Sequence, residues 1–286
     1  MARTLLITRR DFITDPAASF SGGNWLTPFS VLTDPRPQTV MMARSPAPDD
    51  TTFTIDLGVQ RTVGLFHFQR LGTTRFGFLR LRFGNDPTFA TTTYDSGLIT
   101  AWPRDKAIGA NDPWGQFSPD GLIVADEYAA MGLPRFLIPP APIDGRYIRV
   151  DIEDTTNSQP PYIGCFGACE TWSPIQSPAF GWGIATVDES DVQTVPYGSR
   201  FIVPRSKRRR LSLGFNATLS ESEVANIIYG WCLLVGKSRP FIISVFPDDT
   251  PAVEKRTIWG TLSQDPEITN PYYARYSMPL TLEQLV

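Results

Sequence analysis

The sequence predicts a mainly β protein. An N-terminal jelly-roll β-sandwich is followed by a smaller β-sheet or barrel domain carrying one packed α-helix. Three observations predict this. Several short runs alternate apolar and polar residues with the period of a half-buried strand. Aromatics make up 12% of the 286 residues and prolines number 26, which favours many short strands and turns over long helices. Only one stretch, 221–235, has helical caps and a helical apolar stripe.

Leu5–Ile7 reads as an edge strand followed by a basic turn. Arg9–Arg10–Asp11–Phe12–Ile13 has the look of a twin-arginine signal, but no apolar segment follows, so export is not expected. Asn24–Trp25, Phe29–Val31 and Val40–Ser45 read as short strand pieces around the turn Thr33–Pro37. Phe53, Ile55 and Leu57 alternate with Thr54 and Asp56, and Gly58 ends that strand. Val63–Leu71 is an apolar run holding the single histidine, His67. In Phe78–Phe83, Leu79, Leu81 and Phe83 alternate with Phe78, Arg80 and Arg82 before the stop Gly84–Pro87.

Tyr94–Pro142 has weak periodicity, many Pro, Gly and Asp, and the aromatics Trp102, Trp114, Phe117 and Tyr128. It reads as long ordered loops. In Gly145–Trp172, Ile148, Val150 and Ile152 face one way and Tyr147, Arg149 and Asp151 the other. Asp154–Pro161 is turn chemistry, and Tyr162, Ile163 and Phe166 resume the apolar pattern. This stretch reads as a hairpin that closes the sandwich. A Ser- and Pro-rich segment follows, so the expected domains are 1–173 and 174–286.

In the second domain Phe201–Val203, Leu211–Phe215, Pro240–Phe246, Arg256–Leu262 and Tyr273–Leu282 read as strands. The helix Glu221–Val235 has Ser220 as N-cap and Glu223 to complete a capping box. Val224, Ile227, Ile228, Trp231, Leu234 and Val235 form its apolar face, and Gly236 suits its end.

The totals exclude several functions. A net charge of −3 gives no field for non-specific nucleic-acid binding. No apolar run reaches membrane-spanning length. Three cysteines cannot form a disulfide framework. With one histidine, any Ser/His/Asp or Cys/His site must use His67, whose place in an apolar run fits a core histidine better. Cys165 and Cys169 have metal-ligand spacing, but no second pair or nearby histidine in the sequence completes a zinc site. There is no P-loop, dinucleotide fingerprint or HExxH. No cofactor or metal is therefore expected. A glycosidase or cell-wall hydrolase, whose two carboxylates can lie far apart in sequence, is the least supported reading, and a non-enzymatic protein is expected.

Two groups remain as candidate sites. Lys207, Arg208, Arg209 and Arg210 lead into a strand. They are a solvated strand start or a contact with an acidic neighbouring subunit. Trp102, Trp114 and Tyr128 either stack on sugar rings or partners, or pin the long loops to the sandwich.

Several pieces together resemble a known pattern. They are Leu32–Pro37 with Arg44–Ser45, Ile55–Asp56–Leu57–Gly58, Tyr94–Asp95–Ser96–Gly97 with Trp102–Pro103, and Arg146–Val150 through Tyr162–Ile163–Gly164. This order resembles the discoidin-like, galactose-binding-like modules of tailed-bacteriophage structural proteins, over about the first 170 residues. The basic strand, the Ser-x-x-Glu helix and Ile258–Trp259–Gly260 resemble the C-terminal part of the same proteins, with a helix-on-sheet layout similar to tail-tube and distal-tail ring domains. Where the family often has Gly-Arg, this chain has Gly164–Cys165–Phe166, so the role of that arginine does not transfer. The resemblance implies an eight-stranded jelly roll and a non-enzymatic virion protein of the tail tip or baseplate, made in the host cytoplasm. Its expected partners are itself, in a homo-oligomeric ring, and other tail or baseplate proteins. The alternative is a glycan-binding adhesin that recognises a host-surface glycan.

Overall fold

The computed structural model describes residues 3–36, 39–104, 121–179, 181–194, 200–248 and 253–285. The chain is mainly β and divides into two units. The first comprises Met1–Ser173 and Ser244–Arg256, and the second comprises Pro174–Ile243 and Thr257–Val286. Part of the C-terminal half of the sequence thus belongs to the first unit, a feature that a single boundary does not express.

The strands of the first unit are β1 (Leu5–Asp11), β2 (Ser19–Ser21), β3 (Met41–Met42), β4 (Phe53–Val63), β5 (Leu65–Gln69), β6 (Phe78–Gly84), β7 (Tyr94–Asp95), β8 (Ile99–Thr100), β9 (Arg135–Leu137), β10 (Ile143–Glu153), β11 (Tyr162–Ile163) and β12 (Cys165–Trp172). One sheet runs β2-β4-β10-β6-β7, with β8 also on β6. The facing layer runs β1-β12-β5-β9, and β11 pairs with β3. Alternation dictates the core. Ile55, Ile148 and Phe83 lie in register, as do Phe53, Val150 and Leu81. All six side chains are fully buried, packed with Phe66, Phe68, Phe166 and Ala168 from the other layer. This is a β-sandwich. Its outer face is wet and charge-paired: Arg80–Asp95, Arg82–Asp151, Arg149–Asp151 and Arg146–Asp56 all lie on the polar positions.

Four expectations need correction. Gly145–Trp172 is not a hairpin. β10 pairs with β4 and β6, whereas β12 pairs with β1 and β5 in the opposite layer. Alternation marks which face of a strand is buried but not which strand is its neighbour. β1 runs on to Asp11, and Leu5 to Thr8 are all buried, so it is no exposed edge. Gly58 does not end its strand. At φ +77° it forms a bulge, its N–H donating to Asp56 Oδ1 at 2.8 Å. Opposite this bulge β10 advances from Gly145 to Tyr147 while β4 advances from Arg61 to Asp56. Phe29–Thr33 is a 3-10 helix rather than a strand piece, and Trp25 makes only an isolated bridge to Ala43.

The turn after β10 is built as its chemistry suggests. Asp154, almost fully buried, accepts from Thr74 N and Thr74 Oγ1, both at 2.6 Å, and from Asn157 Nδ2 at 3.2 Å. One carboxylate thereby ties this turn to the loop before β6.

The second unit holds β13 (Gly183–Asp188), β14 (Asp191–Thr194), β15 (Arg200–Val203), β16 (Lys207–Ser220), β18 (Thr257–Leu262), β19 (Thr269–Tyr272) and β20 (Arg275–Gln284). The division between units falls within β17 (Phe241–Val245). The order β13-β16-β20-β18 forms its sheet, with β19 on β20, and β14 and β15 form a separate pair. The helical stretch 221–235 opens with the expected capping box: Ser220 Oγ accepts from Glu223 N, and Glu223 accepts from Ser220 N. Its middle, Val224–Ile228, is π-helical. The buried stripe is Ile228, Trp231 and Val235, and Leu234 is exposed rather than buried. A π turn adds a residue per turn and shifts the register of the face that follows. Among the described residues no helix is long and apolar enough to cross a membrane.

Candidate functional site

The aromatic loop is a small core of its own. Trp102 and Tyr128 are both buried, with ring centroids 4.6 Å apart. Ile123 and Met131 complete the cluster, and Trp102 Nε1 donates to the Ile123 carbonyl at 2.8 Å. Tyr128 sits on the helix Ala125–Ala130, where burial pushes its phenol well above the ordinary value. Neither ring has a free face, so these two do not form a stacking platform for a sugar. Trp114 lies outside the described residues.

This cluster stands beside a second polar feature. The helix Val253–Arg256 belongs to the first unit, and its Glu254 carboxylate pairs with Arg135 of β9. Glu254 is buried, 1% exposed, and the Arg135 side chain is 12% exposed. Burial raises the Glu254 carboxyl, and the pull of Arg135 only partly offsets it. Lys255 reaches Glu127 at 3.2 Å and Arg3 reaches Asp248 at 2.5 Å, so the returning segment is held at three ionic points.

The basic run is already satisfied within its own unit. Lys207 meets Asp188 at 3.7 Å, Arg208 meets Glu189 at 2.7 Å and Arg210 meets Glu283 at 2.6 Å. Arg209 donates to Gln284 Oε1 at 2.9 Å and to the Thr257 carbonyl at 3.3 Å. Cross-strand register explains this, because Lys207 faces Asp188 across β13 and Arg210 faces Glu283 across β20. The four cations work as ladder partners of the sheet rather than as a free basic patch.

Buried and exposed apolar residues lie on different strands here. Phe241–Val245, Ile258, Trp259 and Leu262 are buried. Exposed instead are Phe201 (63%), Ile202 and Val203 of β15, with Val192 on β14. Leu233 (73%) and Tyr229 on the helix and Tyr273 (97%) after β19 are exposed as well. Phe201 and Ile202 are adjacent in a strand and so point to opposite faces, yet both are open. Simple inspection of β15 as an all-apolar triplet in a two-stranded pair carries the only sequence signal for this surface.

The strand register also assembles a group that sequence spacing hides. Asp11 faces Cys169 across β1 and β12, and His67 faces Gly167 across β5 and β12. Asp11, His67 and Cys169 therefore project from one side of three adjacent strands. One ligand atom from each lies within 4.8 Å of the others. The sequence offered no histidine near Cys169, and the fold supplies it. Burial pushes both the Cys165 and the Cys169 thiols far above the ordinary value, with Asp11 adding to it.

No family model and no curated protein matches the chain. Among solved structures it is similar to a family 32 carbohydrate-binding module from a family 31 glycoside hydrolase of Clostridium perfringens. The two share 13% identity over 57% of this chain and 99% of that one, with a TM-score of 0.37. It is similar also to a Streptococcus pneumoniae fucose-binding module, at 11% identity over 56% of this chain and 95% of that one, with a TM-score of 0.35. A third is the family 32 module of C. perfringens in complex with galactose, at 14% identity over 54% and 92%, with a TM-score of 0.32.

Proposed function

We propose that this chain is a non-catalytic structural component of a tailed-phage virion, in the tail tip or baseplate, acting through protein–protein contacts. The motif order that resembles phage modules suggests the setting. The observation that carries the reading is the β14–β15 pair, whose Phe201 and Ile202 are open on opposite faces. A two-stranded pair is marginal alone in water. Apolar residues on both its faces are the composition of a strand pair that is covered in an assembly. Self-association in a ring, or docking on another tail protein, covers it. The test is sedimentation of the full chain over a range of concentrations, with recovery in purified tails. Phe201→Ser/Ile202→Ser should abolish association and incorporation while the chain stays folded. A wild-type chain that stays monomeric, together with normal incorporation of the double variant, would remove the reading.

A second reading, glycan recognition at a host surface, draws on the first unit. Phe76 is 74% exposed on the loop that Asp154 braces through Thr74. A rigidly held, open aromatic ring suits the apolar side of a sugar. On a glycan array, binding that is lost in Phe76→Ala at an unchanged melting temperature would favour this reading over the first.

A further inference from the structure

We propose that Asp11, His67 and Cys169 bind a single zinc-class divalent ion that clamps three neighbouring strands of the first unit. The donor set is the first reason. One carboxylate oxygen, one imidazole nitrogen and one thiolate sulfur are the ligands of tetrahedral zinc. With the metal at two positive charges, carboxylate and thiolate make the site electroneutral, as its burial requires. His67 and Cys169 are almost fully enclosed, while the Asp11 side chain is 25% exposed. That side gives the ion and one water their access. Binding is balanced as metal ion plus Cys169 thiol giving the metal thiolate and one released proton.

Geometry is the second reason. Asp11 Oδ2 lies 3.8 Å from His67 Nε2, beyond hydrogen-bond length. Oxygen and nitrogen ligands of a tetrahedral zinc lie about 3.3 Å apart, from bond lengths near 2.0–2.1 Å. Closing this pair to that spacing takes about 0.5 Å. The other oxygen, Asp11 Oδ1, accepts from Ile13 N and from Ala168 N, both at 3.1 Å. These two amides fix the carboxylate and aim Oδ2 at the imidazole, as outer partners of metal ligands do.

Gly167 is the third. A Cβ there would stand 2.0 Å from His67 Nε2 and 2.7 Å from Asp11 Oδ2. The glycine lets the imidazole and the carboxylate come this close together over the strand backbone. This inference is independent of whether the chain assembles a tail or binds a glycan.

The experiment is a titration of metal-free full chain with Co²⁺ and then Zn²⁺. One equivalent of cobalt should bind with a thiolate-to-metal charge-transfer band, and zinc should displace it and raise the melting temperature. Cys165→Ala/Cys232→Ala, which retains Cys169 as its sole thiol, should keep the band. Cys169→Ala should lose it and weaken zinc binding by more than the roughly 10–100-fold cost of losing an outer partner. No thiolate band in the folded wild type, a band that survives Cys169→Ala, or a melting temperature that zinc leaves unmoved overturns the proposal. If Cys169→Ala does not fold, the variant with Cys169 as sole thiol decides: a band at one equivalent supports the site, and its absence overturns it.

Discussion

Removing Glu254 should destabilise the first unit more than any other single ionic change in it. Glu254 is buried and the Arg135 side chain is only 12% exposed, so deleting the carboxylate leaves a largely desolvated guanidinium without this counter-charge. Breaking a buried pair in this way costs about 3–5 kcal/mol. The pair itself is not a net gain, because burial raises the Glu254 carboxyl in spite of Arg135. Replacing both partners with apolar groups of similar volume should therefore be nearly neutral. The expected results are a loss of about 3–5 kcal/mol for Glu254→Ala, and Arg135→Met/Glu254→Leu within about 1–2 kcal/mol of the wild type. Urea unfolding followed by the fluorescence of Trp102, which packs against Tyr128 next to this pair, gives the numbers. A Glu254→Ala cost below about 1 kcal/mol, or a double variant as unstable as the sum of its singles, would refute the reasoning.

Trp102→Ala should lower stability by about 3–5 kcal/mol through the cavity it leaves, whereas Trp102→Phe should cost mainly the Nε1 bond to Ile123, about 1 kcal/mol; thermal melts distinguish the two. Arg208→Ala and Arg210→Ala, each removing a half-exposed ion pair, should cost less than about 1 kcal/mol. Arg208→Glu/Arg210→Glu should lower the melting temperature of the second unit, since each new carboxylate faces Glu189 or Glu283, and no such drop would show the ladder to be energetically silent. Burial pushes the Asp151 carboxyl up, but hydrogen bonds from Arg82, Arg149 and Thr52 more than offset this and hold it below its ordinary 3.8. A lowered carboxylate contributes stability above its unfolded pKa and loses it as pH falls through the folded value. Stability measured below about pH 3.8 should therefore fall less steeply in Asp151→Asn than in the wild type.

Burial faces were legible in the sequence and pairings were not. The alternation through Phe53–Leu57, Leu79–Phe83 and Ile148–Ile152 names the residues that fill the sandwich core. The Ser220–Glu223 box is equally local and equally readable. What failed was non-local. β10 and β12 look like hairpin partners because a turn separates them, but the layer each joins is set by β4, β6, β1 and β5. Gly58 reads as a stop because glycine weakens a strand, and only the facing Gly145–Tyr147 step shows that it is a bulge. The basic run reads as a solvated strand start or a subunit contact because Asp188, Glu189 and Glu283 reach it only through strand pairing.

The two features proposed to carry function divide in the same way. A site made by register is invisible to spacing rules, since Asp11, His67 and Cys169 come from three strands far apart in the chain. Its one local trace is Gly167, a glycine in the middle of a buried strand between Cys165 and Cys169, where any side chain would strike His67. Glycine in a strand interior costs stability and marks a close approach. The β14–β15 pair is the reverse case. Its apolar triplet reads as a strand, and the structure leaves it open on both sides. A buried polar group and an exposed apolar strand are both costly arrangements. The proposed cation would neutralise the first, and the proposed assembly contact would cover the second.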